Sequence, residues 1–401
     1  MASTGSLGRV HRIGRRRVQP PSITRRVPWR SFDLPLVLVT FALTAFGNLI
    51  VYSASAPELE RGGTDPGFFL DRQLAASLLG FFAMVVVALI GYQRLRPLIP
   101  IAYGAALLLL VVVLSPLGAN IKGAQRWVDL GSFQLQPSEL MKLGAIAALA
   151  LLLANARGYP RGPDVMRAIA VIAVPVGLIY LQPDLGTLLV LIAVLFAMLL
   201  VAGTPARILV GLSLAGVILV AGVFTLDLLA DYQKARITAF LDDTADPLGA
   251  NYNLTQARIA VGSGRIAGRG LFSGTQTNLD FVPEVHTDFI FTAVGEQLGF
   301  IGAASLLALF GVYLYRGIRI ALGARDLFGT LLAAGVVAMT AFQIFVNIGM
   351  TVGLSPITGI PLPFVSYGGT AILTAYLATG VLLSVQRRPT EAFGGRTTWK
   401  R

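Results

Sequence analysis

The chain has no cysteine, so disulfides, thiol nucleophiles and thiolate metal sites are excluded. It has only two histidines, His11 and His286. His11 lies in an Arg-rich stretch, so any imidazole chemistry falls to His286, and a His-rich zinc site is excluded. Charge is also scarce. Asp, Glu, Lys and Arg make up 13% of the 401 residues, about half the share of a soluble globule. Hydrophobic residues reach 55%, with a mean hydropathy of +0.73. These figures exclude an ordinary soluble domain and point to an all-α polytopic membrane protein. Acidic residues are outnumbered, 20 against 32 basic, which gives a net charge of +12. The distribution of that charge argues for a membrane surface rather than nucleic acid.

A helix that crosses a bilayer needs about 20 apolar residues. Apolar runs of roughly that length lie at 33–53, 71–91, 97–116, 138–155, 167–181, 184–202, 205–226, 289–314, 326–350 and 366–386. Ten spans place both termini on one side. Basic residues concentrate at the N-terminus, the C-terminus and the short loops of that side, which makes it cytoplasmic. Acidic residues fall mainly on the other side; Asp33, Asp164, Asp326 and Glu391 are the exceptions. The fifth run carries Pro175 and is expected to kink. Residues 1–32 read as a disordered basic cytoplasmic tail. It suits anionic lipid at about 1 kcal/mol per Lys or Arg. Residues 33–386 read as one membrane domain, and 387–401 as a short basic cytoplasmic tail. Ser53-Ala54-Ser55-Ala56 resembles a signal-peptidase site, but the apolar run before it is too long for a signal peptide.

The longest loop, residues 227–288, is external and joins the seventh and eighth spans. Inside it, Leu254, Ala257, Ile259, Ala260 and Val261 suggest a short interfacial helix, broken by glycines 262, 264, 268 and 270. The loop ends in Pro283-Glu284-Val285-His286-Thr287-Asp288-Phe289, which puts three ionisable groups at the mouth of a long apolar helix. Asp288 either caps that helix or serves a site at the membrane rim. The first external loop carries Lys122, Arg126 and Trp127 and runs into Gln136-Pro137-Ser138-Glu139. Lys122 and Arg126 are donors suited to phosphate, and Trp127 suits the interfacial belt. Glu139 and Lys142, three apart, share a helix face one turn into the membrane, as an ion pair, a substrate contact or both. Gln182-Pro183-Asp184-Leu185-Gly186-Thr187 reads as a turn with Asp184 as helix cap, or as a buried polar contact. Arg236 and Gln256 in the long loop, and Ser366 in a Pro/Gly-rich third loop, complete the polar set. All of these fall on the external face, while the middles of the spans are nearly free of charge. Chemistry or binding at that face therefore outranks transport.

Five blocks carry a resemblance. They are Gly123-Ala124-Gln125-Arg126-Trp127, Gln136-Pro137-Ser138-Glu139, Gln182-Pro183-Asp184-Leu185-Gly186-Thr187, Pro283-Glu284-Val285-His286-Thr287-Asp288-Phe289 and Pro361-Leu362-Pro363-Phe364-Val365-Ser366-Tyr367-Gly368-Gly369. Together they resemble the SEDS family (shape, elongation, division and sporulation) across residues 33–386. Asp231-Tyr232-Gln233 and Gly274-Thr275-Gln276 resemble its elongation branch more than its division branch. Arg265, Arg269, Asn251, Gln297 and Thr370 depart from the usual pattern, and Gln297 removes a frequent second carboxylate.

The resemblance implies a peptidoglycan glycosyltransferase in the bacterial cytoplasmic membrane. It would polymerise lipid II on the outer face and work with a class B penicillin-binding protein. Asp288 matches the family's catalytic Asp, and Glu139 and Lys142 match required polar residues. An α-linked diphosphate donor and a β-1,4 product demand one inverting displacement, so Asp288 is expected to act as general base. The diphosphate needs cations, for which Lys122, Arg126, Lys142 and Arg236 are candidates. A divalent ion, Mg²⁺ or Mn²⁺, could share that task, with Asp288 or Glu139 as ligand. Trp127, Gln136, Ser138, Gln182, Asp184, Gln256, His286, Thr287 and Ser366 are the expected further substrate contacts. A lipid II flippase and a non-catalytic scaffold for the penicillin-binding protein are the rival readings.

Overall fold

The computed structural model describes residues 33–121, 124–129, 131, 133–156, 158–225, 250–279 and 281–387. Both tails, apart from Arg387, lie outside the described residues, as do Lys122 and Arg236. Ten apolar helices stand where the ten runs were expected. They are α1 (Leu34–Arg61), α2 (Phe68–Ile90), α3 (Tyr92–Leu114), α4 (Pro137–Ala154), α5 (Gly162–Tyr180), α6 (Leu185–Val201) and α7 (Ala206–Thr225). After two helices in the long loop, α8 (Ala250–Ser263) and α9 (Thr275–Asn278), come α10 (Ile290–Leu322), α11 (Leu327–Val352) and α12 (Gly369–Gln386). Among the described residues nine are long and apolar enough to cross a membrane, and α6 falls short at 17 residues.

Local chemistry sets the helix ends. Asp33 accepts from Leu36 N to start α1, Asp184 from Thr187 N to start α6, and Asp326 from Gly329 N to start α11. Gly353, at φ +80°, ends α11 in the left-handed cap that glycine favours. The α1 helix runs on through Pro57, so Ser53-Ala54-Ser55-Ala56 is buried inside it. Pro175 lies within a continuous α5. The α2 and α12 helices approach closely, because a Cβ on Gly380 would stand 2.8 Å from the Met84 carbonyl oxygen. No described residue of α7 is buried.

Three features depart from expectation. First, the loop after α3 folds into an antiparallel sheet of β1 (Gly118–Ile121), β2 (Ala124–Asp129) and β3 (Gln134–Leu135), with Ala119 opposite Trp127 and Val128 opposite Leu135. Its residues are too few and too polar to show a strand pattern in sequence.

Second, α8 is not a surface helix. Leu254, Ala257 and Ala260 are buried as it packs on α10 and α11. It runs through Gly262, and the turns begin only after Ser263.

Third, α10 breaks at Gly299 (φ +63°, ψ −159°), where residues 265–270 of the long loop plug the gap. Arg269 N and Gly270 N donate to the Glu296 and Gln297 carbonyls (3.0 and 2.9 Å). Phe300 N and Ile301 N donate to the Arg265 and Ile266 carbonyls (2.9 and 3.0 Å). Inserted backbone thus satisfies four groups that the broken helix leaves without helical partners. A Cβ on Gly299 would lie 2.3 Å from Gly268 N, so this position requires glycine.

Candidate active site

A cavity of ≈ 820 Å³ opens at the end of the bundle where α1, α3, α5 and α11 finish and α4, α6, α10 and α12 begin. The α4 helix enters it directly from β3. Gln136 N donates to Thr370 Oγ1 (3.0 Å), which donates to the Gln134 carbonyl (2.9 Å) and so ties the start of α4 to the start of α12. One turn into α4, Lys142 Nζ lies 2.6 Å from Glu139 Oε1. Both residues are at most 2% exposed, yet both reach the cavity wall. Each charge makes the other's burial tolerable, and removing one would strand its partner.

Asp184 has both roles left open by its sequence. It caps α6 through Thr187 N (3.1 Å) and accepts from Thr187 Oγ1 (2.9 Å), Ser138 Oγ (3.2 Å) and Gln136 Nε2 (3.4 Å). It therefore ties α4 to α6 while lining the cavity. Arg126 Nε donates to the Gln182 carbonyl (2.9 Å), and its Nη2 donates to the Pro183 carbonyl. The guanidinium is thus held on the turn before α6 rather than presented whole to a ligand.

Asp288 is not at the capping position of its helix. The capping position of α10 is Phe289, with no side-chain capping bond. The Asp288 carbonyl is held instead by the buried Asn347 Nδ2 (2.8 Å), which also donates to the Ile360 carbonyl (2.8 Å). The Asp288 carboxylate faces the cavity. Gly359 (φ +74°) leaves it room, since a Cβ there would lie 3.3 Å from Asp288 Oδ2.

Of the expected site residues, the structure brings Asp288, Glu139, Lys142, Arg126, Trp127, Gln136, Asp184 and Thr287 to one cavity. Ser138, Gln182, Gln256, His286 and Ser366 do not line it. Ser138 and Gln182 are buried braces, with Gln182 Nε2 donating to the Leu110 carbonyl (2.9 Å). Ser366 Oγ accepts from Leu362 N (2.8 Å) inside its own turn. His286 stacks on Phe69 at 4.4 Å and its carbonyl accepts from Tyr367 N (2.9 Å). Gln256 lies half-buried on α8. In each of these the side chain's polarity is visible in sequence, but its direction is not.

The model of the cell cycle protein family that unites FtsW, RodA and SpoVE matches residues 34–391. The chain belongs to the SEDS family. Stage V sporulation protein E of Bacillus subtilis is 41% identical over 88% of this chain and 97% of its own length. The peptidoglycan glycosyltransferase MrdB of Escherichia coli K12 is 38% identical over 88% of this chain and 93% of its own. A solved structure from a peptidoglycan synthase complex that coordinates polymerization and crosslinking matches with a TM-score of 0.75. It is 33% identical and covers 90% of this chain and 98% of that one.

Several residues of this SEDS cavity escaped the sequence reading. Asp71 and Arg72 line it from the first turns of α2. The Arg72 guanidinium lies 4.1 Å over the Phe68 ring. Burial pushes the Tyr367 hydroxyl above the ordinary phenol value, and Arg72 partly offsets this. Buried Gln73 pins the third loop, donating to the Ser366 carbonyl (3.1 Å) and accepting from Gly368 N (3.2 Å). The signal was present: Asp71-Arg72-Gln73 interrupts an apolar run. Phe133, Gln134 and Glu284 also line the wall. Buried Glu296 serves the fold, accepting from Gln276 N and Thr277 N (both 2.8 Å).

Proposed function

We propose that this SEDS protein is a peptidoglycan glycosyltransferase that polymerises lipid II into β-1,4 glycan strands during cell elongation. The observation that carries the reading is Asp288. Its backbone is clamped from α11, its side chain lines the cavity, and it shares that cavity with the buried Glu139–Lys142 pair. The name of the E. coli relative supports the activity.

In the proposed step, the 4-hydroxyl of the acceptor N-acetylglucosamine attacks C1 of the donor sugar from the face opposite the diphosphate. The O4–C1 bond forms, the bond from C1 to the diphosphate oxygen breaks, and the hydroxyl proton passes to Asp288. General-base help of this kind contributes roughly 10²–10⁴-fold. Polyprenyl diphosphate leaves as an anion and needs cationic stabilisation rather than a general acid. Arg72, over the Phe68 ring, and Arg126, on the Gln182 carbonyl, are the candidate cations on the wall among the described residues. Among the described residues, no three acidic or imidazole groups converge to hold a metal. A Mg²⁺ or Mn²⁺ ion would take Asp288 or Glu139 as its oxygen ligand and help neutralise the diphosphate, and no step is routed through one.

The chain would act as a multi-pass protein of the bacterial cytoplasmic membrane, with the cavity facing outward and a class B penicillin-binding protein as partner. The match to a synthase complex supports the partnership. The blocks around Asp231 and Gly274 support the elongation role.

Glycan formation from purified lipid II, by the protein with its partner, tests the reading. Polymer from wild type and none from folded Asp288→Asn is the expected result. Polymer that survives the substitution would move the base elsewhere. No polymer from a folded wild-type complex would favour the flippase or scaffold reading.

A further inference from the structure

Glu139 lines a second, smaller cavity of ≈ 10 Å³ as well as the large one. The two share Pro361 and Ala371, so the small cavity adjoins the large one. Its other polar lining is Thr340 and Gln343 of α11 and Thr374 of α12. An internal water needs about 10–15 Å³ of such space and about two to four polar partners. The small cavity has room for one.

Two buried groups in its wall are short of partners. The first is the Thr374 hydroxyl, on a residue 2% exposed, which has no hydrogen-bond partner among the described residues. Four other buried threonines spend the hydroxyl on the carbonyl one turn back: Thr40 on Leu36, Thr44 on Thr40, Thr340 on Val336 and Thr379 on Ala375, at 2.9 to 3.0 Å. Thr374 does not. The second is the Glu139 carboxylate. A carboxylate can accept about four hydrogen bonds. Among the described residues, Lys142 is the one side chain that donates to it. Pro361 and Pro363 in the same wall carry no backbone N–H, so the third loop offers no donor at either position. Buried hydroxyls and carboxylates are nearly always hydrogen-bonded, to protein or to ordered water.

A small neutral molecule that both donates and accepts would join these groups. Glu139 already has the Lys142 charge beside it, and the rest of the small cavity's lining is uncharged, so a further cation there would be buried unpaired. We propose that the small cavity is the site of one internal water, which accepts from the Thr374 hydroxyl, donates to the Glu139 carboxylate and so holds that carboxylate in place beside the large cavity. The Gln343 amide, 5% exposed, is a further partner able to donate or accept. Thr374 is then a positioning residue that acts through the water and Glu139. Its effect on catalysis rests on the glycosyltransferase reading above; the water site does not.

The test uses the full-length protein with its partner and compares wild type with Thr374→Val and Thr374→Ser. An experimental structure at a resolution that shows ordered water, the melting temperature, and the KM and kcat of lipid II polymerisation are obtained for each. Wild type should show one water within hydrogen-bond distance of Glu139 and the Thr374 hydroxyl. Thr374→Val keeps the shape and loses the hydroxyl. It should lose the water, melt lower and fall about tenfold in kcat, the share of one hydrogen bond to a charged group, with KM close to wild type. Thr374→Ser keeps a hydroxyl and should keep both the water and kcat. Three results would overturn the inference: no water in wild type, a valine variant with unchanged kcat, or a serine variant that falls as far as the valine one. A valine variant that melts higher would also count against it, because that is the mark of a hydroxyl with no partner to lose. Failure of the parent reading looks different. Wild type would then make no polymer, while the ordered water and the order of melting temperatures would still decide the site.

Discussion

The two ends of the bundle use their acids differently. At the end where α1 starts and α12 finishes, each described acid is consumed by structure. Asp33 caps α1, pairs with Arg316 and accepts from Gln386 Nε2 (3.2 Å). Asp164 closes a capping box on α5. Asp326 caps α11 and accepts from the Tyr92 hydroxyl (3.2 Å). At the cavity end, Asp184 is consumed in the same way, while Asp288 sits one residue before its helix's capping position and lines the cavity. A carboxylate taken up by helix N–H groups and an arginine has little acceptor capacity left for a substrate. A shift of one residue along the chain separates a cap from a candidate base.

The sharpest way to break this comparison is to neutralise one acid from each end. Asp288→Asn should lower polymerisation by roughly 10²–10⁴-fold with little change in melting temperature. Asp33→Asn should do the reverse, lowering the melting temperature while leaving activity per folded molecule intact. Equal behaviour would erase the distinction.

Next in size is the buried pair. Lys142→Met leaves Glu139 charged without a partner and should destabilise by about 3–5 kcal/mol. The double variant Glu139→Gln/Lys142→Met should recover much of that in thermal unfolding, without recovering activity. Gly359→Ala should cost roughly 1–2 kcal/mol for its left-handed backbone. It should also lower polymerisation, because the new methyl crowds Asp288 Oδ2. A variant with full activity would show that the carboxylate can move.

Asp326→Ala removes a cap and the acceptor of the Tyr92 hydroxyl and should cost about 1–2 kcal/mol in thermal unfolding, with normal polymerisation. The smallest effect belongs to Tyr367. Its pKa is raised on folding, so the folded state favours the neutral phenol. That contribution is fully present below the ordinary value of 10.0 and fades as pH rises through the folded value. Wild type and Tyr367→Phe should therefore show the same stability profile between about pH 6 and 9 and diverge only in more alkaline solution.

Much of the fold was legible because a bilayer forces long apolar runs and satisfied backbone groups. The ten helices follow from that constraint, and Glu139 and Lys142 were paired by a spacing of three. What failed was information that depends on direction. Gln182 and Ser366 read as substrate contacts because they sit in polar blocks, yet one braces Leu110 and the other closes a turn. Arg72 was passed over because it lies in an apolar run far from the other blocks. The break in α10 at Gly299 was invisible, because its partners lie about 30 residues earlier in the long loop.

By itself, then, the sequence determined a helical membrane protein with its polar groups crowded at one face, since hydrophobic length and charge placement are local properties of the chain. Only the tertiary structure decided which of those groups share a cavity, that the Asp288 carbonyl is clamped from α11, and that Glu284 is held in a left-handed turn beside it. Those outcomes depend on contacts between residues far apart in the chain, such as Asn347 with Asp288 and Thr370 with Gln136. No local pattern encodes them.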